Sequence, residues 1–399
     1  MSIFKTLTSG QVAYLALLFN KFKLAKNIHK KYDTCFYVEA AELQTVFGSD
    51  YRKTIEPFMI CKDEDYEMGA QACTKAFIFT EETVAAFMDL KAHEIKLPVR
   101  STMDKTYEEK LNIKALTNVI ETWDLKPETK LQLIILRAQT DEHGHNFVWY
   151  RRTSGPKGRR FAGCVSLQGI PDAVRQEIID VSYSDVDMVN AHPTLFSGLA
   201  KAYGVDANKI NFYIANREKV LEKISGFFKV SRDASKDLML ALTFGMGFQY
   251  SQTKKRMGEL SSFTKWCNEN NASVIPTDDG IVIPTFLKEY KAELNAISNV
   301  LLKSDIAAWL PEEKRTKRKS SGIALLIQSI EDEALQVIER WCAYKGIKVM
   351  SLAFDGLIVE GVGHDFSECQ MFVNIMLKDI YGFDADLKLK VKTEVIRND

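Results

Sequence analysis

The sequence predicts an α+β fold, with antiparallel sheet and helical body occupying separate stretches of the chain. Three observations carry this expectation. Two segments with strand-like alternation, Val181–Asn190 and Val349–Glu360, lie more than 160 residues apart, and each carries aspartate: Asp185 and Asp187 in the first, Asp355 in the second. Helical spacing dominates residues 194–308 between them. The chain then closes on a strand–turn–strand at 347–360, a helix at 365–380 and an alternating strand, Asp386–Val395.

Taken in order, residues 1–95 suggest a small helical or winged-helix-like unit. Gln11–Phe19 and Val38–Phe47 have helical apolar spacing, Asp50–Phe58 suits a short helix ended at Pro57, and Tyr66–Thr80 suits a hairpin around Gly69. Residues 102–138 predict two helices, with Pro127 near the start of the second. His143 and His145 lack a carboxylate or thiolate partner at suitable spacing, so a surface loop is expected rather than a metal site. From 146 short strands and loops are expected, and Thr153–Arg160 (TSGPKGRR) is basic and glycine-rich, suited to a phosphate backbone. A second basic run, Lys314–Lys319, includes Lys317 and Arg318 and precedes a long amphipathic helix from about Gly322 to Tyr344.

At 399 residues the chain can hold two or three domains and a large core. No apolar run is long enough to span a bilayer, and no leader pattern opens the chain, so no membrane partner and a cytoplasmic location are expected. Seven scattered cysteines with no Cys-x-x-Cys pair argue for reduced thiols. The net charge of zero means that nucleic acid would have to be met by local basic patches.

The aspartates point to chemistry. Alternation puts Asp185 and Asp187 on one strand face, and Asp355-Gly356 between two apolar runs reads as a tight turn that presents its acid. Were the two strands neighbours, their carboxylates would repel unless one took a proton or a divalent cation joined them. Oxygen donors of this kind suit Mg²⁺, and a pair of such ions serves in-line phosphoryl transfer. Between the acids, Arg232, Lys236, Leu240 and Phe244 lie four apart on one helical face, placing cations at one end and an aromatic ring at the other. Gly245 and Gly247 stand where they would break a helix interior.

Five blocks, in order, resemble the family A DNA polymerases and their single-subunit RNA polymerase relatives over about residues 150–399: GRRFAGCVSLQGIP (158–171), DMVNAH (187–192), KDLMLALTFGMGF (236–248), IQSIEDEAL (327–335) and LAFDGLIVE (352–360). The resemblance implies a right-hand fold: thumb-like helices at 96–150, palm at 151–200 and 321–399, fingers at 201–320. It implies Asp187 and Asp355 as catalytic metal ligands with the Met188 carbonyl, Mg²⁺ (or Mn²⁺ in its place) as cofactor, and Asp185 as a neighbour. Lys236 and Arg232 would meet the triphosphate, Phe244 the incoming base, and Phe248 would stand at the family's tyrosine position. Arg159, Gln168 and Gln328 would contact primer–template, alongside the basic Lys317 and Arg318. His192 stands where DNA polymerases crowd the sugar 2′-position, which favours dNTPs.

There are departures: the family's motif B lysine falls on Leu240, and the residues flanking the motif C aspartate are Phe354 and Gly356. The pattern Asp-x-x-Asn-x-His-Pro-Thr also resembles divergent polymerases of viruses, plasmids and transposons, which would place it in the host cell cytoplasm with a replication helicase or initiator as partner. Nothing in 1–145 resembles a proofreading exonuclease. The expected activity is template-directed primer extension with dNTPs; alternatives are an RNA polymerase or primase of the same fold, or an inactive DNA-binding replication protein.

Overall fold

The structure is a computed structural model that describes Leu15 and residues 36–39, 51–61, 74–79, 106–152, 157–249, 261–277 and 280–395. Strand β1 (Phe36–Glu39), helix α1 (Tyr51–Ile55) and strands β2 (Met59–Cys61) and β3 (Thr74–Phe79) come first, the strands pairing antiparallel in the order β1-β3-β2. Helix α1 and strand β3 match the sequence expectation. Val38 does not: it lies in β1 opposite Lys75, and the run Phe36-Tyr37-Val38 is rich in the aromatic and β-branched residues that suit a pleated surface. The rest of the expected helix Val38–Phe47, the span Gln11–Phe19 apart from Leu15, and the turn at Gly69 lie outside the described residues.

A second unit consists of β4 (Thr106–Lys110), α2 (Ile113–Thr122), α3 (Pro127–Gln139), β5 (His145–Arg152), β6 (Arg160–Ala162) and α4 (Asp172–Ile178), with sheet order β4-β5-β6. Two helices are present as expected, but the first starts only at Ile113. Residues 106–110 are a strand paired residue for residue with β5 from Thr106↔Trp149 to Lys110↔His145. Asn112, two residues past that strand, caps α2, its side chain accepting from the Ala115 N–H at 2.9 Å.

The remainder runs β7 (Tyr183–Met188), α5 (Ala191–Ala202), α6 (Asn208–Ala215), α7 (Arg217–Phe228), α8 (Arg232–Thr243), α9 (Ser262–Glu269), β8 (Pro276–Thr277), β9 (Gly280–Ile281), α10 (Thr285–Leu301), α11 (Glu312–Thr316), α12 (Lys319–Tyr344), β10 (Val349–Leu352), β11 (Gly356–Glu360), α13 (Ser367–Tyr381) and β12 (Leu389–Glu394). Strands β10-β11-β7-β12 form an antiparallel sheet in that order, so the two aspartate-bearing segments are direct neighbours despite their separation in sequence. The α+β expectation thus holds as antiparallel sheets with a helical body. No helix among the described residues is long and apolar enough to cross a membrane.

Period-two alternation gives this sheet two unlike faces. Val186 and Met188 of β7, with Leu357 and Val359 of β11, point into the core shared with α5, α12 and α13. Tyr183, Asp185 and Asp187 take the opposite face. Helix α12 is the main strut of the core: Ile323, Leu326, Ile327, Ile330, Ala334 and Ile338 are all at most 2% exposed. Each buried leucine or isoleucine side chain there contributes about 1.5–3 kcal/mol.

Helix α8 ends earlier than its sequence suggests. Thr243 is its last residue, Phe244 caps it, and Gly245 turns away at φ +101°. Gly245 and Gly247 therefore lie beyond the helix, not inside it. The close approach at Gly245 is to α12, because a Cβ there would come within 2.1 Å of the Ser320 hydroxyl.

Candidate active site

The acid segments meet at the β7–β11 junction. Register sets Gly356 opposite Asp187, and the Met188 N–H donates to the Asp355 carbonyl at 3.0 Å, extending the ladder by one residue. The turn between β10 and β11 is closed by a reciprocal pair, Ala353 N–H to Gly356 O at 2.8 Å and Gly356 N–H to Ala353 O at 3.1 Å. Its two corner residues are thus Phe354 and Asp355, not Asp355 and Gly356. Phe354, a bulky residue, is held at φ +59°. Gly356 is small for another reason: a Cβ there would lie 2.4 Å from both Asp187 Oδ1 and the Val186 carbonyl.

Burial raises the carboxyl pKa of Asp187, and the charge of Asp355 raises it further. Burial likewise raises that of Asp355, with Glu331 adding to it. Asp185 is 4% exposed, and burial followed by the Asp187 charge pushes it up to about 6, against the pull of Arg175, whose guanidinium is 3.3 Å away. Opposing lysines come from β12, where Lys390 stands across from Asp187 and Lys392 across from Asp185, on the same face and exposed. Asp187 and Asp355 therefore crowd negative charge at a partly open surface, with no ion pair of their own among the described residues. Such a donor set fits a divalent cation: Mg²⁺ takes one or two carboxylates and completes its shell with water and substrate phosphates. No group of three or more His, Cys, Asp or Glu residues with metal-ligand spacing occurs among the described residues.

A second acidic cluster adjoins the first and is fully compensated. Glu331, Asp332 and Glu339 on α12 are 0%, 2% and 5% exposed. Arg159 grips Glu331 through Nε at 2.7 Å and a terminal nitrogen at 2.9 Å, and His192 Nε2 lies 2.5 Å from the same carboxylate. Burial opposes the charge of Glu331, but His192 and Arg159 hold its pKa below the usual range. Arg160 Nε lies 2.6 Å from Asp332, which Arg152 also pairs, and Glu339 is met by Arg160 and the Tyr107 hydroxyl. None of these acids was among the site residues expected from sequence. The available signal was Glu331 standing one helical turn after Ile327 in a buried apolar stripe, which demands a cation, together with the arginine pair 159–160.

The remaining expected residues divide sharply. Arg159 is committed to Glu331 and stacks 5.0 Å from the Phe354 ring, so it faces the acids and not open solvent. Gln168 is spent internally: its carbonyl accepts from Ala162 N–H at 3.0 Å and its amide donates to Arg160 O at 3.1 Å, pinning β6, so it is not available to primer–template. His192 is 8% exposed and packs edge-on against Phe244 at 4.7 Å. Arg232, Lys236 and Leu240 line an exposed face of α8 as the spacing predicts. Arg232, however, is engaged by Glu218 through two 2.7 Å contacts, while Lys236 has no ion pair among the described residues. Phe248 is half-buried and packs against the core at Phe263, 5.5 Å between ring centres. Gln328 is half-buried on α12. Lys317 and Arg318 are exposed, with Arg318 paired to Glu313 at 2.9 Å.

No protein-family profile matches the chain. A Sputnik virophage protein, V13, named as a candidate helicase, is 29% identical over 234 residues, which cover 56% of this chain and 26% of V13. The chain thus spans about a quarter of the length of that curated relative. Among solved structures, the polymerase domain of Pol1 from M. smegmatis, in complex with DNA primer–template and dNTP, superposes with a TM-score of 0.41 at 12% identity, covering 70% of this chain and 55% of that one.

Proposed function

We propose that this chain is a template-directed DNA polymerase that extends a primer 3′-hydroxyl with dNTPs, and that Asp187 and Asp355 are its catalytic carboxylates. The observation that carries this reading is the pairing of β7 with β11, which puts two carboxylates without an ion pair among the described residues side by side where the two central strands of the sheet meet the acid turn. Mg²⁺, with Mn²⁺ as substitute, held by Asp187, Asp355 and the Met188 carbonyl, would supply an activated primer oxygen and a neutralised leaving pyrophosphate.

The protein's own groups do the rest. Gly356 lets the Asp187 carboxylate lie against the neighbouring strand, and the closed turn fixes Asp355. Arg159, bound to Glu331, keeps that buried charge from acting alone on Asp355. Exposed Lys236 on α8 is the cation available for the triphosphate, and Phe244 beside His192 is the aromatic surface for the incoming base. His192, locked by Glu331 and Phe244, is a rigid bulk at the start of α5, which supports selection against a ribose 2′-hydroxyl. The helicase named in the V13 relative is not assigned to these residues, which contain no Gly-x-x-x-x-Gly-Lys-Ser/Thr loop; a replication helicase would act together with this polymerase.

The test is extension of a labelled primed template in Mg²⁺ with dNTPs or rNTPs. The native chain should add dNTPs in preference to rNTPs, and Asp187→Ala or Asp355→Ala should each cut extension by on the order of a thousandfold or more. A variant that extends as well as the native protein would end the assignment.

A further inference from the structure

The outer face of the β4-β5-β6 sheet presents a set of side chains unused by the chemistry above. Alternation along β5 puts His145, Phe147, Trp149 and Arg151 on this face, about 6.6 Å from one to the next. Register adds Phe161 of β6 directly across from Arg151. Phe147 is 52% exposed and Phe161 36%, high values for rings on a sheet. Gly163 lets the indole of Trp149 lie down across the neighbouring backbone: a Cβ there would sit 1.9 Å from Trp149 Nε1. The imidazole of His145 stacks on Phe147 with the two planes only 15° apart. The face is therefore a row of rings rather than an aliphatic patch.

Its charges are unequally matched. Glu108, the one acid contributed by β4 to this face, is held by Lys348 and His145, and Lys110 is paired with Glu360 at 2.7 Å. Arg151 is exposed and has no ion-pair partner among the described residues. The row is also continuous with the acid turn. Phe161 meets the ring of Phe354 at 6.0 Å and 67°, and Phe354 is the left-handed residue immediately before Asp355.

We infer that this face is a stacking platform for single-stranded nucleic acid, with unpaired bases on Phe147, Trp149 and Phe161 and the backbone neutralised by Arg151, and with the strand leading past Phe354 to the carboxylates. Flat rings at strand spacing beside a free guanidinium suit bases whose faces are open, which a duplex hides within its stack. Binding on the platform stands apart from catalysis; only the direction of the strand toward Asp355 rests on the polymerase reading.

The experiment is fluorescence anisotropy with the full chain, using a labelled oligothymidylate 12-mer and a hairpin duplex of equal charge. Phe147→Ala and Phe161→Ala together should weaken the single strand by about tenfold or more while changing duplex affinity less than twofold. Arg151→Ala should flatten the salt dependence of single-strand binding. Both rings are exposed, so the melting temperature should stay unchanged, and Phe147→Tyr with Phe161→Tyr should restore binding. Native-level single-strand binding by the double alanine variant, equal losses on both probes, or no binding by the native chain would overturn the inference. A native chain that binds the single strand but never extends a primer, with Asp187→Asn and Asp355→Asn together leaving that binding intact, would sink the polymerase reading and leave the platform standing.

Discussion

Two groups of carboxylates lie side by side in this molecule and are treated in opposite ways. On α12, Glu331, Asp332 and Glu339 are buried almost completely, and arginine, histidine or tyrosine meets each of them. At the β7–β11 junction, Asp187 and Asp355 are less buried and have raised pKa values, Asp187 through burial and the charge of Asp355, Asp355 through burial and the charge of Glu331. A buried acid with its cation in place is finished structurally, since removing either partner strands the other. A pair of acids left facing each other is unfinished and gains from a ligand. The contrast teaches that acidity alone does not mark a site; unpaired acidity at an opening does.

The contrast breaks most visibly if the two groups are mutated in parallel. Glu331→Ala should cost about 3–5 kcal/mol, because Arg159 and His192 would remain charged or polar and unpartnered in the core. Asp187→Asn should leave thermal stability unchanged or slightly raised, since it relieves a repulsion. Melting curves of the two variants compare them directly, and equal destabilisation would erase the distinction.

A smaller effect sharpens it. Added Mg²⁺ or Mn²⁺ should raise the melting temperature of the native chain by a few degrees at saturating concentration, by selective binding to the folded state. The shift should vanish in Asp187→Asn with Asp355→Asn but persist in Asp332→Asn, whose carboxylate already has its arginines. Differential scanning fluorimetry reads all three.

The smallest effect concerns an acid intermediate between the two groups. Glu109 is fully buried and hydrogen-bonded by Ser351, Asn146 and the Leu167 N–H, yet no cation among the described residues pairs it, and burial lifts its pKa to about 7. The folded chain therefore binds this proton more tightly than the unfolded chain, where the group titrates near 4.5. Its contribution to stability grows as pH falls from above 7 toward 4.5 and levels off below that. Glu109→Gln should remove that slope, and the denaturation midpoint at pH 8 should be higher than in the native chain. An unaltered stability–pH curve would show that the hydrogen bonds alone carry the charge.

What the sequence revealed follows from how local each signal is. The acid hairpin, α12 and the closing strand are written in contiguous alternation or helical spacing, and all three appear. The strand Thr106–Lys110 is not legible, because TYEEK has charged residues at three of five positions, and only pairing with β5 and burial of Glu109 among distant polar groups explain it. The same holds for the site. Asp187 and Asp355 announce themselves by position, whereas the commitments of Arg159, Gln168 and Arg232 to internal partners depend on contacts 6–172 residues away. These three side chains looked available to a ligand and were already spoken for within the fold, whereas Lys236 and Lys317 stand exposed as their spacing suggests.

The Tyr150 hydroxyl accepts the Leu352 N–H at 2.9 Å and shares a 2.9 Å hydrogen bond with Ser351. This stitch spans about two hundred positions and ties the start of the acid hairpin to a strand made much earlier. During synthesis, therefore, the Tyr150 hydroxyl stays hydrated until Ser351 and Leu352 have been made. The candidate carboxylate pair of Asp187 and Asp355 likewise comes together only once β11 has paired with β7, long after the first of the two acids has been made.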